Sequence, residues 1–144
     1  MIQGTLREQL LYPYPERKID DDTIRAIVAE VNLSDVFARV DDDLDRVLDW
    51  TNVLSVGEQQ RVAFARLFVR KPRFAFLDEA TSALDEENQE TLYGLLQKSG
   101  IGFISVGHRK TLMKYHDRIL QLEQTGTWEL KAAGDLEAEA GLRP

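Results

Sequence analysis

Cysteine is absent from the sequence, so neither a disulfide framework nor thiolate chemistry is available. That fits a reducing compartment. No apolar run approaches the roughly 20 residues needed to span a bilayer, and the N-terminus has no signal-peptide pattern. The chain is therefore expected to be soluble by itself, with no direct membrane insertion, and to meet a membrane only through a partner. Cations are in deficit: 18 Lys and Arg stand against 25 Asp and Glu, a net charge of -7. Such a balance argues mildly against nucleic acid as a partner, since neutralising phosphates needs a basic face. No internal repeat is present.

What is there suits one globular domain. A chain of 144 residues, 43% hydrophobic and 30% charged, can bury roughly two thirds of its unfolded surface. Gly4-Thr5 offers a turn and a cap for a short helix reaching Leu11, which Pro13 and Pro15 then break. Asp20, Asp21 and Asp22 suit the positive end of a second helix, in which Ile24, Ile27, Val28 and Val31 recur at helical spacing. Ser34 is expected to cap a third, carrying Val36 and Phe37. Asp41 to Asp45 reads as a solvated acidic connector, with a metal site as the lesser alternative. A long helix begins near Gly57, with Val62, Phe64, Ala65 and Phe68 inward, and ends at Lys71-Pro72. Phe74–Leu77 and Ile101–Val106 read as buried strands, separated by a helix from Asp85 to Lys98 with Leu92, Leu95 and Leu96 inward. A brief helix over Thr111–Tyr115 precedes an antiparallel pair, Arg118–Leu122 with Thr127–Leu130.

Four patterns carry chemistry. In Leu54-Ser55-Val56-Gly57-Glu58 a glycine lies at the start of a helix, where unpaired amides and a positive dipole face outward. Phe74-Ala75-Phe76-Leu77-Asp78-Glu79 places two acids at the C-terminal end of a strand, where open α/β sheets bind ligands. Ser82-Ala83-Leu84-Asp85 follows, with Asp85 suited to cap the next helix, and His108 stands at the exit of the second strand within GFISVGHR. His116 has no such context and reads as a surface residue.

In that order, from about Gly4 to Lys131, these motifs resemble the C-terminal part of the ATP-binding cassette of an ABC transporter. The resemblance is closest to the exporter-like class of peroxisomal fatty-acyl transporters and their bacterial and cyanobacterial relatives. It implies an α/β fold: a partial P-loop NTPase core with an N-terminal all-helical subdomain. Residues 1–54 would be the helical subdomain that docks on a transporter's membrane domain. Residues 55–132 would be the C-terminal half of the ATPase core, and 133–144 a flexible acidic tail.

The resemblance also assigns roles. Ser55 and Gly57 would contact the γ-phosphate of ATP held by the opposite subunit of a head-to-tail dimer, and Asp85 would reach across that interface. Asp78 would hold Mg²⁺ through water, Glu79 would polarise the attacking water, and His108 would sense the γ-phosphate. Val56 and Glu58 depart from the usual signature, LSGGQ, and a carboxylate beside a polyphosphate is unfavourable unless it points away.

The phosphate-cradling pattern G-x-x-x-x-G-K-S/T is missing from the sequence. By resemblance the chain begins after the Q-loop, which would make Met1 an internal methionine. Taken alone it is expected neither to bind ATP tightly nor to hydrolyse it. The implied function is coupling of ATP binding and hydrolysis to transmembrane transport in the intact protein, at the cytoplasmic face of a membrane. The alternative is a non-catalytic module that docks on a complete cassette or membrane domain.

Overall fold

The computed structural model describes residues 3–123 and 125–134, and the chain divides into two compact units, residues 1–106 and 107–144.

The first unit is built around one helix. Strand β1 (Gln3–Thr5) runs into helix α1 (Leu6–Leu11), and Thr5 caps it: its side chain accepts from the Glu8 N–H while the Glu8 carboxylate accepts from the Thr5 N–H. Gly4, at φ +152°, leaves room for that carboxylate, since a Cβ there would collide with it. Helix α2 (Asp21–Glu30) is capped by Asp20, which accepts from Thr23 N at 2.8 Å. Helix α3 (Ser34–Ala38) follows, with Leu33 rather than Ser34 at the capping position and no side-chain cap bond. Two acids of the 41–45 connector take arginine partners: Asp45 pairs with Arg7 at 2.7 Å and Asp41 with Arg46 at 2.7 Å. Arg7 also meets Asp21 at 2.8 Å, and the hydrogen bonds it donates to the Asp45 and Asp21 carboxylates raise its pKa.

The expectation of an all-helical block over residues 1–54 is not met. Strand β2 (Val47–Asp49) pairs antiparallel with β1, Gln3 opposite Asp49 and Thr5 opposite Val47. Strands of three residues are too short for an alternating pattern to register in sequence. Helix α4 (Trp50–Val53) then buries Trp50 completely, with its indole N–H donating to Gly4 O at 2.8 Å.

Helix α5 (Val56–Arg70) buries Val62, Phe64, Ala65, Phe68 and Val69, and it packs on both α1 and α2. Lys71 ends it in the left-handed conformation, with its N–H donating to Leu67 O at 2.7 Å. Strand β3 (Phe74–Asp78), helix α6 (Glu86–Lys98) and strand β4 (Gly102–Val106) form a βαβ crossover, β3 and β4 pairing in parallel from Phe74–Gly102 to Asp78–Val106. On α6, Leu92, Tyr93 and Leu96 are buried, while Leu95 is only half-buried. Tyr93 joins the layers, edge-on to Phe64 and to Phe103 and hydrogen-bonded to Ser105 Oγ at 2.9 Å.

Neither strand of this pair is buried throughout, which corrects the reading from apolar runs. Ala75 and Leu77 turn inward, whereas Phe74, Phe76, Ile104 and Val106 are 66%, 80%, 51% and 58% exposed. A run apolar on both faces marks a parallel strand that is covered on both faces, and within this unit α6 covers only one.

In the second unit a 3₁₀ helix, Lys110–Tyr115, precedes strands β5 (Arg118–Leu122) and β6 (Trp128–Ala132), paired antiparallel from Arg118–Ala132 to Leu122–Trp128. Of the expected acidic tail, residues 135–144 lie outside those described.

Candidate functional site

The N-terminus of α5 is fixed by a reciprocal cap. Ser55 Oγ accepts from Glu58 N at 3.3 Å, and Glu58 Oε2 accepts from Ser55 N at 2.8 Å. Glu58 also pairs with Arg39, the residue that closes α3. Burial pushes the Glu58 carboxyl up, but the Ser55 hydrogen bonds and the Arg39 charge outweigh it and leave the pKa below its ordinary value. The carboxylate that seemed misplaced in the sequence is thus folded back on its own helix end and partnered by a cation. One acceptor bond occupies Ser55 Oγ here, and a serine hydroxyl still has a proton to donate.

Gly57 is where the next segment arrives. A Cβ on it would stand 3.1 Å from Ala83 O and 3.3 Å from Leu84 Cδ2, so the turn of residues 79–85 packs directly on the first turn of α5. One turn further along, Gln60 binds the same segment, donating to Glu79 O at 3.2 Å and Ser82 Oγ at 3.0 Å and accepting from Ala83 N at 3.1 Å. Buried Thr81 anchors the turn from the other side, its hydroxyl donating to Gln89 Oε1 on α6 at 3.4 Å.

Asp78 is the last residue of β3, opposite Val106, and is exposed. Glu79 is half-buried at φ +46°, the left-handed region, with its N–H donating to Val106 O at 3.0 Å. Asp85 caps α6, accepting from Asn88 N at 2.8 Å and from the Asn88 side chain at 2.9 and 3.1 Å. These bonds, with the Arg61 charge as a smaller contribution, lower its pKa. Arg61 donates to Asn32 O, and Asn32 bonds Asn88 at 3.1 Å.

Within the first unit, then, the helix end that carries Ser55 is packed, through Gly57 and Gln60, on the turn that leads from Asp78 and Glu79 to Asp85. His108 belongs to the second unit, two residues past β4, and is exposed. His116 is half-buried rather than on the surface, its Nδ1–H donating to Leu112 O at 2.9 Å. Sequence reading missed Gln60 and Arg61, which lie inside an unremarkable polar run; only their contacts single them out. A groove of about 880 Å³ runs between α2 and the C-terminal ends of α5 and α6, and none of the candidate residues lines it.

A βαβ crossover whose first strand ends at Asp78, with a capped helix N-terminus packed on the turn that follows, fits an α/β fragment of the P-loop NTPase class. The model of the ABC transporter family matches residues 3–82, more than half of the chain, and the chain belongs to that family. It corresponds to part of an ATP-binding cassette.

Similar proteins include an uncharacterised ABC transporter ATP-binding protein of Synechocystis, 49% identical over 90% of this chain and 20% of its own length. The human lysosomal cobalamin transporter ABCD4 is 48% identical over 88% of this chain and 22% of its own. Mouse ATP-binding cassette sub-family D member 3 is 39% identical over 98% of this chain and 22% of its own. Among solved structures, a bacterial Atm1-family ABC exporter with ATP bound aligns over 99% of this chain and 25% of that one, at a TM-score of 0.78 and 28% identity. The chain thus spans about one fifth of the length of these curated relatives. Among the described residues no helix is long and apolar enough to cross a membrane.

Proposed function

We propose that this chain supplies one part of the nucleotide site of an ABC transporter, and that the completed cassette couples ATP binding and hydrolysis to transmembrane transport. The observation that carries this reading is the packing of the α5 N-terminal turns, at Gly57 and Gln60, on the turn that leaves Asp78 and Glu79. A capped helix N-terminus offers amides and positive dipole to an anion, and a hydroxyl stands at its edge. Asp78 and Glu79 lie at the C-terminal end of a parallel strand, where such sheets bind ligands.

Mg²⁺ uses one or two carboxylates together with substrate phosphates. The exposed Asp78 carboxylate fits that donor set, and the described residues contain no cluster of three potential ligands that would form a site by itself. When bound, the ion would neutralise charge on the phosphates. Glu79 would accept a hydrogen bond from the attacking water, as a general base must. Ser55, the Gly57 amide and Asp85 would serve ATP held by a second cassette in a head-to-tail pair, whereas His108 would contact the γ-phosphate of the ATP held by its own cassette.

Catalysis would rest on positioning and electrostatics rather than on covalent chemistry. Residues 1–54 would dock on the transporter's membrane domain, residues 55–132 would form the ATPase part, and the assembly would sit at the cytoplasmic face of a membrane. A non-catalytic docking module is not favoured, since the relatives are transporter ATP-binding proteins and exporters. The test is magnesium-dependent ATP hydrolysis by this chain joined to a P-loop-bearing segment of a relative. Glu79→Gln should lower turnover at least a hundredfold; equal turnover by the variant would refute the assignment.

A further inference from the structure

Glu79 holds a backbone conformation that a non-glycine residue rarely adopts, φ +46°. Such residues persist only where their surroundings over-determine them. Here the peptide units on both sides of Glu79 are tied. Its N–H donates to Val106 O at 3.0 Å, and its C=O accepts from Gln60 Nε2 at 3.2 Å. The same carboxamide reaches Ser82 Oγ at 3.0 Å and takes the Ala83 N–H at 3.1 Å. Both Nε2 protons and the oxygen of Gln60 are therefore engaged by one turn. The orientation of the amide follows from its partners, since a backbone N–H can only donate and a carbonyl can only accept.

We propose that Gln60 is a positioning residue for Glu79: it clamps the turn of residues 79–83 to the first turns of α5 and so fixes where the Glu79 carboxylate is carried. This rests on the reading of Glu79 as the base. Gln60 touches none of the reacting groups in this account; it acts through the Glu79 backbone. Gly57 makes the clamp possible by letting Ala83 approach α5 closely. The consequence is that the helix presenting Ser55 and the turn presenting Glu79 move as one piece.

Two variants separate the bonds. Gln60→Ala removes all of them, whereas Gln60→Glu keeps an acceptor for Ala83 N–H but has no proton for Glu79 O. In amide exchange on the protein containing this chain, Gln60→Ala should speed exchange at Ala83 roughly tenfold or more, while amides from Ala63 to Leu67 change less than twofold; Gln60→Glu should restore Ala83 protection. In ATP hydrolysis by the completed cassette, both variants should lower kcat roughly tenfold with KM within twofold of the parent.

Unchanged exchange at Ala83 in Gln60→Ala, parallel loss of protection throughout α5, or parental kcat in Gln60→Glu would each overturn the proposal. Full turnover by Glu79→Gln would overturn it too, by removing its target. That failure is told apart from failure of the clamp by the Ala83 exchange result.

Discussion

Single residues decide whether the α5 end can face an anion. Glu58 stands where the family commonly has glutamine, yet its charge is spent on Ser55 N–H and Arg39. Removing the cap by Ser55→Ala should cost about 1 kcal/mol, read as a lower urea midpoint with an unchanged m-value. The Arg39–Glu58 pair carries a pH signature. The folded-state pKa of Glu58 lies below its ordinary 4.5, so the ionised carboxylate is favoured by folding. Its contribution is complete above the ordinary value and is lost as pH falls through the lowered one. Wild type should therefore exceed Glu58→Gln in stability at neutral pH, with the difference shrinking as pH falls below about 4.5. A gap that widens on acidification would contradict this assignment.

At the scale of elements, the β3–α6–β4 crossover is complete as a unit and bare on one side. Because Phe76 is 80% exposed and packs little, Phe76→Ser should leave stability within about 0.5 kcal/mol while reducing aggregation and dye binding by the chain. Loss of a cooperative melt would instead mean that Phe76 is part of the core.

Sequence reading found most of these elements because their signals are local. The caps Thr5 and Asp85, the acids at the start of α2 and the stop at Lys71-Pro72 lie at the helix ends they set, and the apolar face of α5 repeats within the helix itself. What it missed depends on partners distant in sequence. The β1–β2 ribbon joins residues more than forty positions apart, Trp50 finds Gly4 O, and Gln60 finds a turn some twenty residues on. The two apolar strands could not be told from fully covered ones, because composition records the hydrophobicity of a face and not what lies on it. Of the candidate site, the residue types were legible from their order, and the clamp that joins them was not.

At the scale of the molecule, the residues that would address ATP are of three kinds: acids beside the metal and water, a helix end facing phosphate, and a histidine at the γ-phosphate. The sequence holds no glycine-rich cradle and no phosphate-binding lysine of the P-loop pattern. Millimolar to micromolar binding corresponds to about 4 to 8 kcal/mol, and hydrogen bonds to charged groups contribute roughly 1.5–3 kcal/mol each. A few missing contacts of that kind are enough to remove measurable affinity.

The central claim, that these residues are one part of a divided nucleotide site, is tested most directly by titrating magnesium-ATP calorimetrically into this chain and into the same chain joined to a P-loop-bearing segment. Saturable binding at micromolar nucleotide by the joined protein, with none below about 1 mM by the chain, is the predicted result; micromolar binding by the chain alone would contradict it.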